Sequence, residues 1–221
     1  MYRAVDTRSD TKLAILNAAE RVFAAHGFKS SSLRAITAEA QVNLGAVNYH
    51  FASKDALILA VLRRRMKPLN DQRLALLSDF EAEAKGKPVA LEKILEALIR
   101  PALELIARGG RSGRYFVRLL AQCLADPGAY LQPLVAEDFA ERHARFHAAI
   151  RRALTYLSSD EVHWRLHFVY GVFLHTVANS HLLGLSSGGR CRVGSVEPTL
   201  RRMIAFCVAG LAARDAQKGK K

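Results

Sequence analysis

Between Asn43 and Lys54 the chain gathers side chains that donate hydrogen bonds, Asn43, Asn48, Tyr49, His50 and Lys54, around the small residues Gly45 and Ala46. Carried on one helix, that set suits a polyanion. Little side chain at the helix start lets backbone amides come close to phosphates and base edges, and the amide, phenol, imidazole and ammonium groups supply further donors. Val47 and Phe51 are free to pack inward, while Leu44 can touch a thymine methyl. Two histidine pairs, His143/His147 and His163/His167, stand four apart and so share a helix face, as a zinc site requires. The residues inside the second pair, Trp164-Arg165-Leu166, lack the glutamate of the hydrolytic zinc motif, and no cysteine or acid partner stands at ligand spacing. These histidines therefore read as solvated or pocket-rim groups. Cys123, Cys191 and Cys207 are odd in number and form no CxxC pair, which argues against a disulfide framework and for a reducing compartment. Cys191, in a loop, is the candidate reactive thiol, whereas Cys123 reads as buried. No nucleophile–base pair accompanies any of these groups, so neither an enzyme nor a cofactor is expected.

What must position the donor run is a set of helices. Two-residue alternation is absent and apolar residues recur at three and four, which predicts an all-α fold of about nine helices. Leu13, Leu16, Ala19, Val22 and Phe23 form one stripe over Ser9 to Ala25, closed by Gly27. A second helix, Leu33 to Ala40, follows the cap candidates Ser30-Ser31-Ser32; Asn43 caps Leu44 to His50, and Ser53 caps a long helix from Lys54 to about Glu83. Only Gln41-Val42-Asn43 separates the second helix from the third, the arrangement of a helix-turn-helix whose last member enters a major groove. Lys85-Gly86-Lys87-Pro88 ends the long helix, and a periodic segment then runs from Val89 to Ala107. Within it Pro101 has no amide hydrogen for the Ala97 carbonyl, so a kink or break is expected near Arg100. Further helices are read at Arg114–Leu124, Leu131–Leu157, Ser159–Leu183 and Ser195–Arg214. The expected division is 1–56, 57–214 and a disordered basic tail at 215–221.

The chain has 221 residues with 33 Lys+Arg against 20 Asp+Glu, a formal charge of +13. That charge predicts an acidic partner, and half the residues are apolar, enough for a packed core. On charge alone a general nucleic-acid packaging protein is an alternative. Arg63-Arg64-Arg65, near the head of the long helix, is placed to approach DNA but reads first as solvated. The opening Met1-Tyr2-Arg3-Ala4-Val5-Asp6 is charged where a signal peptide is apolar, and no run of about 18 apolar residues occurs, so a cytoplasmic protein with no membrane partner is expected.

Three stretches carry a specific resemblance: Ile15-Leu16-x-Ala18-Ala19-x-x-x-Phe23-x-x-x-Gly27-Phe28; Ser31-Ser32-Leu33-Arg34-x-Ile36; and Ala40-x-Val42-Asn43-x-Gly45-x-Val47-x-Tyr49-x-Phe51-x-Ser53-Lys54-x-x-Leu57. Together they resemble the amino-terminal signature of tetracycline-repressor-type (TetR-family) transcriptional regulators. The resemblance implies an all-α homodimer with a small DNA-binding domain and a larger ligand-binding and dimerisation domain. It implies backbone contacts to operator DNA by Tyr49, His50 and Lys54, with Ser32, Arg34, Leu44, Gly45, Ala46 and Asn48 at or near the groove. Gln41 departs from it, because the family usually has glycine in that turn; a residue there with positive φ costs energy, so the turn either differs or bears strain. Leu44 to Phe51 with Asp55-Ala56-Leu57-Ile58 is most similar to the PsrA-like, fatty-acid-responsive branch.

Two carboxy-terminal runs, Phe168 to Ala178 and Met203 to Ala213, are nearly free of polar residues and too short to span a bilayer, so they are expected to pair with their copies in a four-helix bundle. Phe173, Val177, Ile204, Cys207 and Leu211 are the expected dimer contacts, with Gly171, Ala178, Ala205 and Gly210 allowing close approach. In the family-like arrangement an apolar cavity lies beside the long helix, lined by Met66, Leu98, Phe116, Leu120, Phe146, His167 and Phe168; Phe139, Trp164 and Phe173 read as core or cavity wall. Arg100, Arg118, Arg165 and His167 are the candidates to meet an acidic head group, though each reads first as a surface charge. The expected protein is a repressor released from a palindromic operator by a small apolar effector such as a fatty acid or acyl thioester. A cationic drug or metal effector is the alternative, and a helical metal-dependent enzyme using the four histidines is the third reading.

Overall fold

The computed structural model describes residues 7–125 and 128–214, and every regular element among them is helical. The expected tail at 215–221 and the breaker residues Asp126-Pro127 lie outside the described residues. The helices are α1 (Thr7–His26), α2 (Leu33–Ala40), α3 (Leu44–His50), α4 (Lys54–Glu83), α5 (Leu91–Arg108), α6 (Gly110–Ala125), α7 (Leu131–Pro133), α8 (Ala140–Ala153), α9 (Ser159–Ala178), α10 (Ser180–Ser186) and α11 (Val196–Ala212). A π-helical segment, Leu134–Phe139, joins α7 to α8. The all-α expectation holds. The bounds of α2, α3 and α4 coincide with those predicted because each start is fixed by a local cap.

Compactness divides the chain into two units at other points than the expected 56/57 boundary: one comprises the residues up to Pro68 with Gly109–Phe139, the other Leu69–Arg108 with the residues from Ala140 onward. In the first unit α1 packs against α2, α3 and α6, over a core of Ile15, Phe23, Ile36, Val47, Leu57, Leu62 and Leu119. Gly27, at φ 85°, ends α1, and the buried Ser31 hydroxyl donates to its carbonyl at 2.6 Å. Phe28 sits edge-on to both Phe23 and Tyr130, with ring centroids 5.4 and 5.3 Å away.

The arginine triplet is not the solvated run expected. Arg64 and Arg65 both close on Glu20 of α1, Arg65 at 2.7 Å, and Glu20 is only 3 % exposed. Arg63 binds Glu137 and, at 2.7 Å, Asp138, whose hydrogen bond raises the Arg63 pKa above its ordinary value. Burying one carboxylate becomes tolerable once two guanidiniums surround it.

In the second unit α5 packs on α11 and α8, and α9 packs on α8 and α11. Pro101 is buried and α5 runs through it as one helix, so of the expected kink or break the break is absent. Seven other buried apolar residues of the helix (Ile94, Leu95, Ala97, Leu98, Ile99, Ala102 and Leu103) outweigh one missing hydrogen bond. Arg100 pairs with Glu96 at 2.9 Å and with Glu197 at the start of α11. Arg165 is buried, bonded to Glu161 at 2.7 Å and donating to the carbonyls of Leu211 and Ala213 at 2.6 Å each, which closes the end of α11.

The expected dimer contacts differ in burial. Phe173, Cys207 and Leu211 are buried within a single chain, and Val177 and Ile204 are half-buried. The large apolar side chains that α9 and α11 leave in solvent are Trp164, Phe168 and Phe206, the last 69 % exposed. Apolar helices read as equally buried all round in fact commit one face to their own core.

Candidate nucleic-acid interface

The α2–turn–α3 pair is built from side chain-to-backbone caps. Ser32 Oγ accepts from the Ala35 amide at 3.1 Å, Asn43 Oδ1 from the Ala46 amide at 2.8 Å, and Ser53 Oγ from the Ala56 amide at 3.0 Å, each satisfying an orphan donor of a first turn. Between the first two, Gln41 adopts the left-handed conformation, φ 56° and ψ 42°. Its amide donates to Ala38 O at 3.3 Å and the Val42 amide to Thr37 O at 3.1 Å, the paired bonds of a Schellman stop. The strain expected of a non-glycine residue in this turn is present.

Val47 is fully buried and Phe51 nearly so, which pins one side of α3 to the core of α1 and leaves the other side outward. That outward side presents Leu44, Gly45, Asn48 and Tyr49, with Arg34 and Ser32 exposed beside them on α2. Ala46, His50 and Lys54 are half-buried. Lys54 Nζ donates to Lys29 O at 3.2 Å, which ties the start of α4 to the α1–α2 loop and holds the ammonium at the edge of this face. Of the ten residues expected at DNA, three already make side-chain hydrogen bonds within the fold: Ser32 and Asn43 spend their oxygens on caps, and Lys54 its ammonium on Lys29 O. Gly45 is constrained for a related reason, because a Cβ there would stand 3.2 Å from Asn43 Oδ1. Small size at this position serves the cap as well as any approach to DNA.

Sequence reasoning missed Arg8. Its guanidinium lies 5.1 Å from the centre of the Tyr49 ring, a cation–π contact that adds a positive charge to the exposed phenol. Arg8 lies at the start of α1, far from the donor run along the chain, and only the α1–α3 packing brings the two together.

The expected effector residues are split between the compact units: Met66, Phe116 and Leu120 belong to the first, Leu98, Phe146, His167 and Phe168 to the second. Met66, Leu98, Phe116 and Phe146 are buried, whereas Phe168 is 59 % exposed and His167 is also exposed, so these two do not wall a closed cavity in a single chain. Of the four cations expected to meet an acid, Arg100 and Arg165 are engaged by carboxylates, and Arg118 and His167 are exposed.

Three of the four histidines do meet across α8 and α9. His143 Nε2 stands 2.9 Å from His163 Nδ1, the His147 ring stacks on that of His163 at 4.2 Å, and His147 Nε2 is 3.2 Å from Ser159 O. Burial, with His163, His147 and Arg142 nearby, lowers the pKa of His143 below its ordinary value. Among the described residues no group of three His, Cys, Asp or Glu is arranged to hold a metal ion.

Comparison with known proteins gives two family matches. Residues 15–61 match the model for bacterial regulatory proteins of the tetR family, and residues 96–210, just over half of the chain, match the tetracyclin repressor-like C-terminal domain. The Escherichia coli K12 regulator UidR is 41 % identical over 66 residues, 30 % of this chain and 31 % of UidR. The Brucella suis transcriptional repressor BepR is 32 % identical over 123 residues, 56 % of each chain. The chain thus spans well under two thirds of the length of either relative. The solved structure of the fatty acid degradation regulator FadR from Bacillus halodurans superposes with TM-score 0.65 at 14 % identity, covering 92 % of this chain and 97 % of that one, a likeness of fold.

Proposed function

This chain belongs to the tetR family of bacterial regulatory proteins, and from that premise we propose that it is a ligand-responsive repressor that binds a palindromic operator as a homodimer. The observation that carries the reading is the outward face of α3, where Leu44, Asn48 and Tyr49 stand exposed on a helix anchored by Val47 and fixed in pitch by the Gln41 stop and the Asn43 cap. Tyr49, His50 and Lys54 bind the phosphate backbone, and Asn48, Leu44 and Arg34 read base edges. Two such helices on a dimer meet successive major grooves about 34–36 Å apart. The second copy covers the apolar surface that α9 and α11 leave exposed around Phe168 and Phe206, where the exposed Gly171 and Gly210 let helices approach. Binding a chromosomal operator puts the protein in the cytoplasm.

The effector is an apolar acid or its thioester, in line with the PsrA-like character of α3, and it acts by favouring a spacing of the recognition helices that does not fit the operator. The fold likeness to FadR is compatible with this ligand class and carries no more than the fold.

The test is quantitative footprinting and filter binding on the DNA flanking the protein's own gene. Tyr49→Phe and Lys54→Ala weaken operator and random DNA alike, and Lys54→Ala lowers the salt slope by about one. Asn48→Ala instead changes the ranking of operator variants, by roughly 1–3 kcal/mol at the base it reads. A protein that binds scrambled sites as tightly as any genomic fragment is a packaging protein, and the repressor reading fails.

A further inference from the structure

Tyr49 stands 66 % exposed on α3, yet its ring is held by two neighbours. The His50 imidazole meets it edge-on with ring centroids 5.2 Å apart, and His50 leans in turn on the buried Phe51, 6.3 Å away. The other neighbour is Arg8 of α1, whose guanidinium carbon lies 5.1 Å from the ring centre. An aromatic ring on a DNA-facing helix thus carries a cation that the helix-turn-helix itself does not supply.

The helical repeat of α1 explains how Arg8 arrives there. It stands seven residues before Ile15 and eleven before Ala19, a spacing that keeps all three on one stripe of the helix. Ile15 and Ala19 are fully buried, whereas Arg8 is exposed. Over two turns, about 10.5 Å, the inward stripe has therefore run past the end of the core, and what it meets there is the ring of Tyr49. Asp10, the acid of the first turn, is two residues further on and so about 200° round the helix from Arg8. Other arginines of this unit end on carboxylates: Arg21 pairs with Glu39 at 2.8 Å, and Arg64 and Arg65 close on Glu20. A carboxylate cancels the charge it meets. A ring face attracts a cation through its quadrupole and leaves the charge in place for a further anion. The N–H fork of a guanidinium matches phosphate oxygens, and the exposed phenol beside it is already a phosphate donor on the reading given for α3.

We propose that Arg8 is a further DNA-phosphate contact, delivered from α1 to the outward side of α3 by the Tyr49 ring. This rests on the regulator reading above and extends its interface from the helix-turn-helix to the start of α1. Tyr49 then serves twice, its hydroxyl donating to the DNA backbone and its face holding the guanidinium. Arg8 reads no base, so it strengthens binding without choosing the site.

The test is filter binding of the full chain to its operator and to random DNA at 50 and 200 mM salt. Losing one phosphate contact lowers the salt slope by about 0.9, so the ratio of parent to variant affinity shrinks about 3.5-fold over that range. Arg8→Gln shows this change on operator and random DNA alike and leaves the ranking of operator variants as it was. Arg8→Lys, which keeps the charge, restores most of the slope. Arg202→Gln, an equal loss of charge at an exposed position of α11, leaves the slope unchanged. In a Tyr49→Phe background the platform survives and Arg8→Gln keeps its full effect, whereas in Tyr49→Ala the effect falls by half or more. Melting curves check that each variant folds, and Tyr49→Leu replaces Tyr49→Ala if that one does not. A parent-like slope in Arg8→Gln, an altered ranking of operator variants, an equal change in Arg202→Gln, or an undiminished Arg8→Gln effect once the ring is gone overturns the proposal. If the parent prefers its operator and Lys54→Ala lowers the slope while Arg8→Gln does not, the α1 contact is wrong and the repressor reading stands. If the parent prefers no site, the repressor reading fails, and the slopes on random DNA still decide for or against Arg8.

Discussion

Replacing Gln41 with glycine should stabilise the protein. Gln41 holds φ 56° and ψ 42° at the end of α2, where a side chain crowds the following carbonyl, and an L-residue bears roughly 1–2 kcal/mol there. Glycine bears none of that, but it loosens the unfolded chain and gives back about 0.4–1 kcal/mol. The net for Gln41→Gly is a gain of about 1 kcal/mol, because the side chain that the substitution removes is exposed. The two backbone bonds of the stop, from Gln41 and Val42, survive in either case. For a chain of this size that gain corresponds to a rise of about 2–4 °C in Tm. Thermal and urea unfolding of Gln41→Gly, Gln41→Asn and Gln41→Val should rank glycine above asparagine, asparagine above the parent, and valine last, since asparagine tolerates the left-handed region and a β-branched residue does not. A glycine variant no more stable than the parent, or a valine variant equal to it, would refute the claim that this turn is strained.

Glu20→Gln should cost about 3–5 kcal/mol in urea unfolding, because Arg64 and Arg65 then face each other without their shared carboxylate; a loss below about 1 kcal/mol would place this cluster among ordinary surface pairs. Phe206→Asp should leave the folded chain intact, its side chain being exposed within one copy, but yield monomers in sedimentation; a dimer of unchanged strength would mean that the second copy sits elsewhere. The folded-state pKa of His143 is lowered from 6.5, so between its folded value and 6.5 the unfolded chain binds more protons, and stability present above pH 6.5 is lost as pH falls through that window. His143→Gln should flatten the drop in Tm between pH 7.5 and 5.5, and an equally steep drop would show that other groups govern it.

The parts of this molecule that could be read from the sequence are those set by neighbours along the chain. Ser32, Asn43 and Ser53 each cap the helix that begins one residue later, so the starts of α2, α3 and α4 need no tertiary information, and the strain at Gln41 follows from the same local geometry. Charge burial did not follow from such rules. Nothing near the buried Arg73 or Arg142 in sequence distinguishes them from the exposed Arg118, and the Arg63–Arg65 triplet looks like a solvated run until Glu20, Glu137 and Asp138 fold against it. Apolarity of α9 and α11 showed that both must be covered, but not which stripe faces inward, since each offers bulky side chains in every direction. Of the kink or break expected at Pro101 the break did not form, because a local cost was set against no estimate of the burial along the rest of α5.

The division of labour across α2 and α3 bears on how such a protein can be retargeted. Asn43, Gly45 and Ser32 answer to the caps, and Val47 to the core, so they are poor places for variation whatever DNA is presented. Arg34, Leu44 and Asn48 are exposed and hold no cap, so on the base-reading role proposed for them they are the positions where a new operator preference can arise in a single step without passing through unfolded intermediates. A randomised library confined to those three codons should consist mostly of folded members and yield altered specificities under selection. One that also opens Asn43 and Gly45 should lose most of its diversity to collapse of α3 before any operator is sampled.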